Sequence, residues 1–124
     1  DHLPCAWGAV KAMLGLSKVP AAHRTPVVQR AIDTGVAFLF SHDPAAADYP
    51  MGYASKPNLS WFRFGYPVGY VTDVLQNLEV LTALGYGGDP RLQNGINLLK
   101  SDRMLPETEF DSEIKSWFQS LDRE

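Results

Sequence analysis

At 124 residues, with 45% hydrophobic and 20% charged side chains, the chain has the size and balance of one soluble globular domain, 1–124, able to bury a core without staples. The formal net charge of -3, with no basic run, argues against nucleic acid or an anionic membrane as a partner. The longest unbroken apolar run, at 36–40, is far too short to span a bilayer, so no transmembrane segment is expected.

No signal peptide or lipid-attachment motif is evident. The chain starts at Asp1 rather than Met, which implies a longer parent sequence whose missing part could carry a targeting segment. The single cysteine, Cys5, excludes an internal disulfide. That fits a reducing compartment and inclines the reading to a cytoplasmic location.

In chain order, the first helix is expected at about 5–16, where Ala9, Val10, Met13, Leu14 and Leu16 recur at helical spacing. "SKVPAAHRTP" breaks the pattern. Thr25-Pro26, a capping residue followed by proline, opens a second helix at 26–39 with the stripe Val28, Ala31, Ile32, Val36 and Leu39. The long connection "SHDPAAADYPMGYASKPNLS" follows, with Pro44, Pro50 and Pro57; loops of this length are usually functional or mobile. Trp61, Phe62, Phe64, Tyr66 and Tyr70 then make a dense aromatic cluster.

A third helix is expected at about 70–84, with Val71, Val74, Leu75, Leu78, Leu81 and Leu84 on its apolar face and Gly85 placed to end it. "GYGGDP" leads to a fourth helix at 90–100, striped by Leu92, Ile96 and Leu99. Without a preceding strand, this glycine-rich turn reads as a helix cap rather than a phosphate cradle. Past Arg103 the chain turns acidic, and a short fifth helix is expected at 112–121 with Ile114, Trp117, Phe118 and Leu121 on one face. No strand is convincing, so the fold class is all-α.

An internal repeat is the clearest pattern. "TPVVQRAIDTGVAFLFSHD" and "DPRLQNGINLLKSDR" share a cap-plus-proline start, and Val28-Gln29-Arg30-Ala31-Ile32 parallels Leu92-Gln93-Asn94-Gly95-Ile96. Each copy follows an apolar helix and a turn, so the unit is a helical hairpin. Two such units would stack, because neither buries its apolar face alone.

"CAWGAVKAML", "RTPVVQRAIDTGVAFLFSHD" and "WFRFGYPVGYVTDVLQNLEVLTALGYGGDPRLQNGINLLKS" together resemble the terpenoid cyclase and protein prenyltransferase superfamily, the α/α-toroid fold, and in particular bacterial proteins with prenyltransferase or squalene-cyclase repeats. The resemblance implies inner helices beginning at Cys5 and Tyr70, backed by outer helices beginning at Pro26 and Pro90. The N-terminal ends of the inner helices would face a cavity mouth. A closed toroid needs more helices than this chain supplies, which implies a partial toroid of four to five helices. It would be part of a longer protein, part of an oligomeric ring, or an open arc whose apolar flanks need a partner.

The resemblance also nominates site residues. The Asp-x-Asp-Asp acid motif of cyclases that protonate an alkene does not occur here, nor does an Asp-rich metal motif. By resemblance a zinc or magnesium ion could belong to such a site, with Cys5, His2 and Asp73 as the residues that would approximate the zinc ligands of prenyltransferases. Asp73 has three readings: a first-turn residue favoured by the helix dipole, a catalytic cavity acid, or a solvated surface acid. Trp7, Trp61, Phe64, Tyr66 and Tyr70 either line an apolar ligand site, stabilising cations through their ring faces, or pack one hairpin on the other. His42 beside Asp43 is either an acid–base pair or a local loop contact. The expected function is therefore part of a cyclase- or prenyltransferase-like enzyme with an apolar, isoprenoid-type binding surface. The alternatives are a non-catalytic repeat domain that binds an apolar ligand or a protein, and an arc that assembles with copies of itself.

Overall fold

Cys5 and Thr25 hold extended backbone just ahead of a helix, and each offers a side-chain acceptor to the first turn. In the computed structural model, which describes residues 3–51, 56–63 and 72–101, α1 runs Ala6–Ser17 and α2 runs Pro26–Leu39. The Cys5 sulfur accepts from the Gly8 N–H at 3.4 Å, and the Thr25 hydroxyl accepts from the Val28 N–H at 3.3 Å. Pro26 fills the first helical position, where no N–H is needed. Between the helices, a tight turn at Ala21–His23 is drawn back by Arg24, whose Nε donates to the Val19 carbonyl at 3.0 Å.

The third helix, α3, runs Val74–Leu81 and starts later than the expected 70–84. Thr72 precedes the helix and Asp73, extended at φ -136° and ψ 173°, caps it, so helical backbone begins only at Val74. A wide turn follows at Thr82–Tyr86, and Gly85 within it takes φ 103°. That left-handed backbone suits glycine and ends the helix, as its position in the sequence implies. Asp89 then caps a tight turn at Pro90–Leu92, which runs directly into α4, Gln93–Lys100. The helix expected at 112–121 lies outside the described residues. Among the described residues there is no strand, and no helix is long and apolar enough to cross a membrane.

α1 packs against α2 and against α3, and α3 packs against α4. Two glycines permit close approach. A Cβ on Gly35 of α2 would run into the Met13 thioether of α1, and one on Gly95 of α4 would lie 2.9 Å from Leu78 Cδ2 of α3. Val10, Leu39, Val74, Leu78, Val80 and Leu81 are fully enclosed at the centre. The end of α2 also meets the start of α4. The Arg91 guanidinium lies 3.8 Å over the Phe40 ring, Phe40 sits edge-on to Tyr86, and Asn94 donates to Asp43 at 2.9 Å.

The long connection after α2 is anchored to this core. Pro44, Ala47 and Tyr49 are buried. The Asp43 carbonyl accepts from the N–H groups of both Ala46 and Ala47, and Ala47 takes a left-handed φ of 49°. A non-glycine residue there carries backbone strain that its burial in the core must offset. A short helical turn at Leu59–Phe62, capped by Asn58, brings Trp61 into the same interior.

Candidate functional site: the polar face of α3

Asp73, the residue singled out as a cavity acid, is only 5% exposed and caps α3 by accepting from the Gln76 N–H at 2.8 Å. Burial removes the solvated-surface reading. Beside it, Gln76 Oε1 accepts from the Thr72 hydroxyl and from Lys11 Nζ of α1, each at 2.5 Å. Burial pushes the Lys11 amine below its usual value, while the Asp73 carboxylate nearby opposes that shift. The arrangement brings one cation and one anion from neighbouring helices, with a carboxamide and a hydroxyl, to the N-terminal end of α3. Its chemistry is to hold the α1–α3 seam in register and to present polar groups there.

One residue further along α3, Asn77 is fully buried, and its Nδ2 donates to the Tyr49 hydroxyl at 3.0 Å. Tyr49 in turn donates to the Leu39 carbonyl at 2.5 Å. Trp61, Phe38 and His42 surround the Tyr49 ring with centroids 5.4, 5.6 and 5.5 Å away. Burial pushes the Tyr49 phenol up to about 12; the Asn77 hydrogen bond works against this, and Asp43 and Asp48 add to it.

The nominated ligand-binding aromatics separate accordingly. Trp61 is 2% exposed and belongs to the core around Tyr49, and Trp7 is half-buried against the core's edge. Phe64, Tyr66 and Tyr70 lie outside the described residues, as does His2. Cys5 is exposed and its sulfur caps α1. Among the described residues, no three of His, Cys, Asp and Glu come together as metal ligands.

Ser41 and His42 lie within 3.1 Å, but the Ser41 hydroxyl gives its one proton to the Phe38 carbonyl. It therefore receives from His42 Nδ1–H, the reverse of what an activated serine needs. Asp43 uses Oδ1 to accept from the Ala45 N–H and Oδ2 to accept from Asn94, so it ties the loop to α4. Asp89 takes the Arg91 backbone and guanidinium, which hold its carboxyl at about 2.

Lys11, Tyr49, Gln76 and Asn77 were not among the residues the sequence singled out. Asn77 did carry a signal, since it interrupts the apolar face of Val74, Leu78 and Leu81 at helical spacing and so had to be buried. In comparison with known proteins, no family model matches the chain, and no curated protein or solved structure matches it.

Proposed function

We propose that the chain is an α-hairpin segment of a terpene cyclase- or prenyltransferase-like protein of the α/α-toroid type, contributing apolar surface to an isoprenoid-type ligand site. The observation that carries this reading is the packing order. α1 lies against both α2 and α3, and α3 against α4, the neighbour relations of two adjoining inner helices each backed by an outer one. In this reading Asp73, at the N-terminal end of α3, would stand at the end that a toroid turns toward its cavity mouth, with Lys11 from the middle of α1 nearby. Because the Asp73 carboxylate already caps α3, the Lys11 amine near it is in this reading the group of the right charge for an anionic headgroup, and the acid or metal of any reaction comes from elsewhere in a longer protein.

The test is thermal unfolding with a long-chain isoprenoid diphosphate, with inorganic pyrophosphate as control, each with and without zinc or magnesium. A rise in Tm with the isoprenoid alone supports the reading. No rise at saturating ligand rejects this substrate class.

A second reading is a non-catalytic repeat that binds a protein or another copy of itself; among the described residues Leu3, Val27 and Leu59 are large apolar side chains left exposed, at 53%, 65% and 61%. Light scattering after gel filtration decides it. A strict monomer at high concentration removes self-assembly.

A further inference from the structure

Of the asparagines Asn58, Asn77, Asn94 and Asn97, three precede leucine and only Asn94 precedes glycine. Asparagine deamidates when the main-chain nitrogen of the next residue attacks its side-chain carbon, and a side chain on that next residue hinders the attack. Glycine has none. The Asn94-Gly95 pair is therefore where this sequence obstructs the reaction least, and Asn94 is exposed to the water that completes it.

The fold holds the reaction back in two ways. Both residues lie in α4, and helical dihedrals keep the Gly95 nitrogen turned away from the Asn94 side chain, so ring closure needs the first turn to open. The carboxamide itself is tied down, because its Nδ2 donates to Asp43 Oδ2 at 2.9 Å. Packing also keeps the glycine in place, since a Cβ at 95 would lie 2.9 Å from Leu78 Cδ2.

We propose that Asn94 is a modification site, a spontaneous deamidation gated by opening of the first turn of α4, whose product releases the connection after α2 from α4. In the opened turn the Gly95 nitrogen loses its proton and bonds to Asn94 Cγ. The carboxamide C–N bond breaks, ammonia leaves with a proton, and a succinimide remains. Water adds to either carbonyl and opens the ring to aspartate or isoaspartate, so the net change is a water taken up and an ammonia released. Aspartate at this position has no N–H to give Asp43, and two carboxylates face each other where a hydrogen bond stood. Isoaspartate also lengthens the main chain where Gly95 packs on Leu78. The proposal does not depend on the ligand reading.

The test follows amide-to-acid exchange by peptide mass spectrometry in the whole chain at mildly alkaline pH, folded and in guanidinium chloride. In denaturant Asn94 should convert ahead of Asn58, Asn77 and Asn97, and in the folded chain at least about tenfold more slowly. Equal rates in both states, or no preference for Asn94 in denaturant, overturns the proposal. Asn94→Asp reproduces one product directly. Its Tm at neutral pH should fall by a few degrees and recover when Asp43→Asn is added. An unchanged Tm in Asn94→Asp, or no recovery in the double variant, overturns the release of the connection.

Discussion

Asn77 and Tyr49, 28 residues apart, meet in the interior, where the Asn77 carboxamide donates to the Tyr49 hydroxyl at 3.0 Å. The same hydroxyl donates to the Leu39 carbonyl, so one oxygen links α2, α3 and the connection between them. Tyr49→Phe keeps the ring and its stacking but strands a buried carbonyl and a buried N–H. The expected cost is about 1–3 kcal/mol, measured by urea unfolding. A loss no larger than that of a surface substitution would show that the hydroxyl does not hold the loop.

Alkaline pH reads the same contact. The folded Tyr49 phenol sits at about 12 against an ordinary 10.0, so between those values the unfolded chain gives up its proton while the folded chain keeps it. Stability from this group is whole below pH 10 and lost as pH rises toward 12, by roughly 2–3 kcal/mol in all. Lys11 works in the opposite sense, because its lowered value makes the folded chain release a proton before the unfolded one does just below 10.5. Ultraviolet titration of the tyrosinate band should show a late step from Tyr49. Tyr49→Phe should remove both that late step and its share of the alkaline destabilisation.

Asp73 separates a capping role from a ligand role. Asparagine caps as well as aspartate, whereas alanine cannot accept from the Gln76 N–H. Asp73→Ala should therefore cost about 1 kcal/mol, and Asp73→Asn far less. If Asp73→Asn keeps the wild-type Tm but loses an isoprenoid-induced rise, the carboxylate serves the ligand. If stability falls equally in both variants, the charge beside Lys11 matters more than the cap.

Glycine replacements should divide by what their Cβ meets. Gly15 faces open space on α1, so Gly15→Ala should stabilise by about 0.5–1 kcal/mol through helix propensity. Gly95→Ala gains the same propensity but presses on the fully buried Leu78, and overpacking typically costs about 1–3 kcal/mol, so the net should be destabilising. Gly85→Ala should destabilise by about 1 kcal/mol because of its φ of 103°. Thermal melts of the three variants check the order.

Local signals in the sequence located what local chemistry decides. The start of α2 follows from Thr25 and Pro26, whose effects act within one turn, and it falls where expected. The start of α3 was misplaced because apolar spacing runs smoothly back through Val71 and Tyr70, while the Asp73 cap demands extended backbone just before the helix. Periodicity says which face is apolar, and a cap says where the helix begins. The proline-rich connection read as functional or mobile, and its anchoring was not legible because Tyr49 finds its partner on α3. The Lys11–Gln76 contact is equally illegible, since both residues look like ordinary polar positions until the helices are set side by side. Trp61 admitted a ligand or a packing reading, and burial against Tyr49 places it in the core.

The hydrogen bonds between elements join residues far apart in the chain: Lys11 to Gln76 across 65 positions, Asp43 to Asn94 across 51, Tyr49 to Asn77 across 28. Each must close a long stretch of chain before it returns any energy, and the entropy of closure falls on the transition state. For an all-helical chain this is an uncommon burden. It should reach its native state more slowly than a bundle whose helices touch only their neighbours in sequence, with the Lys11–Gln76 contact, which closes the longest stretch, among the last to form.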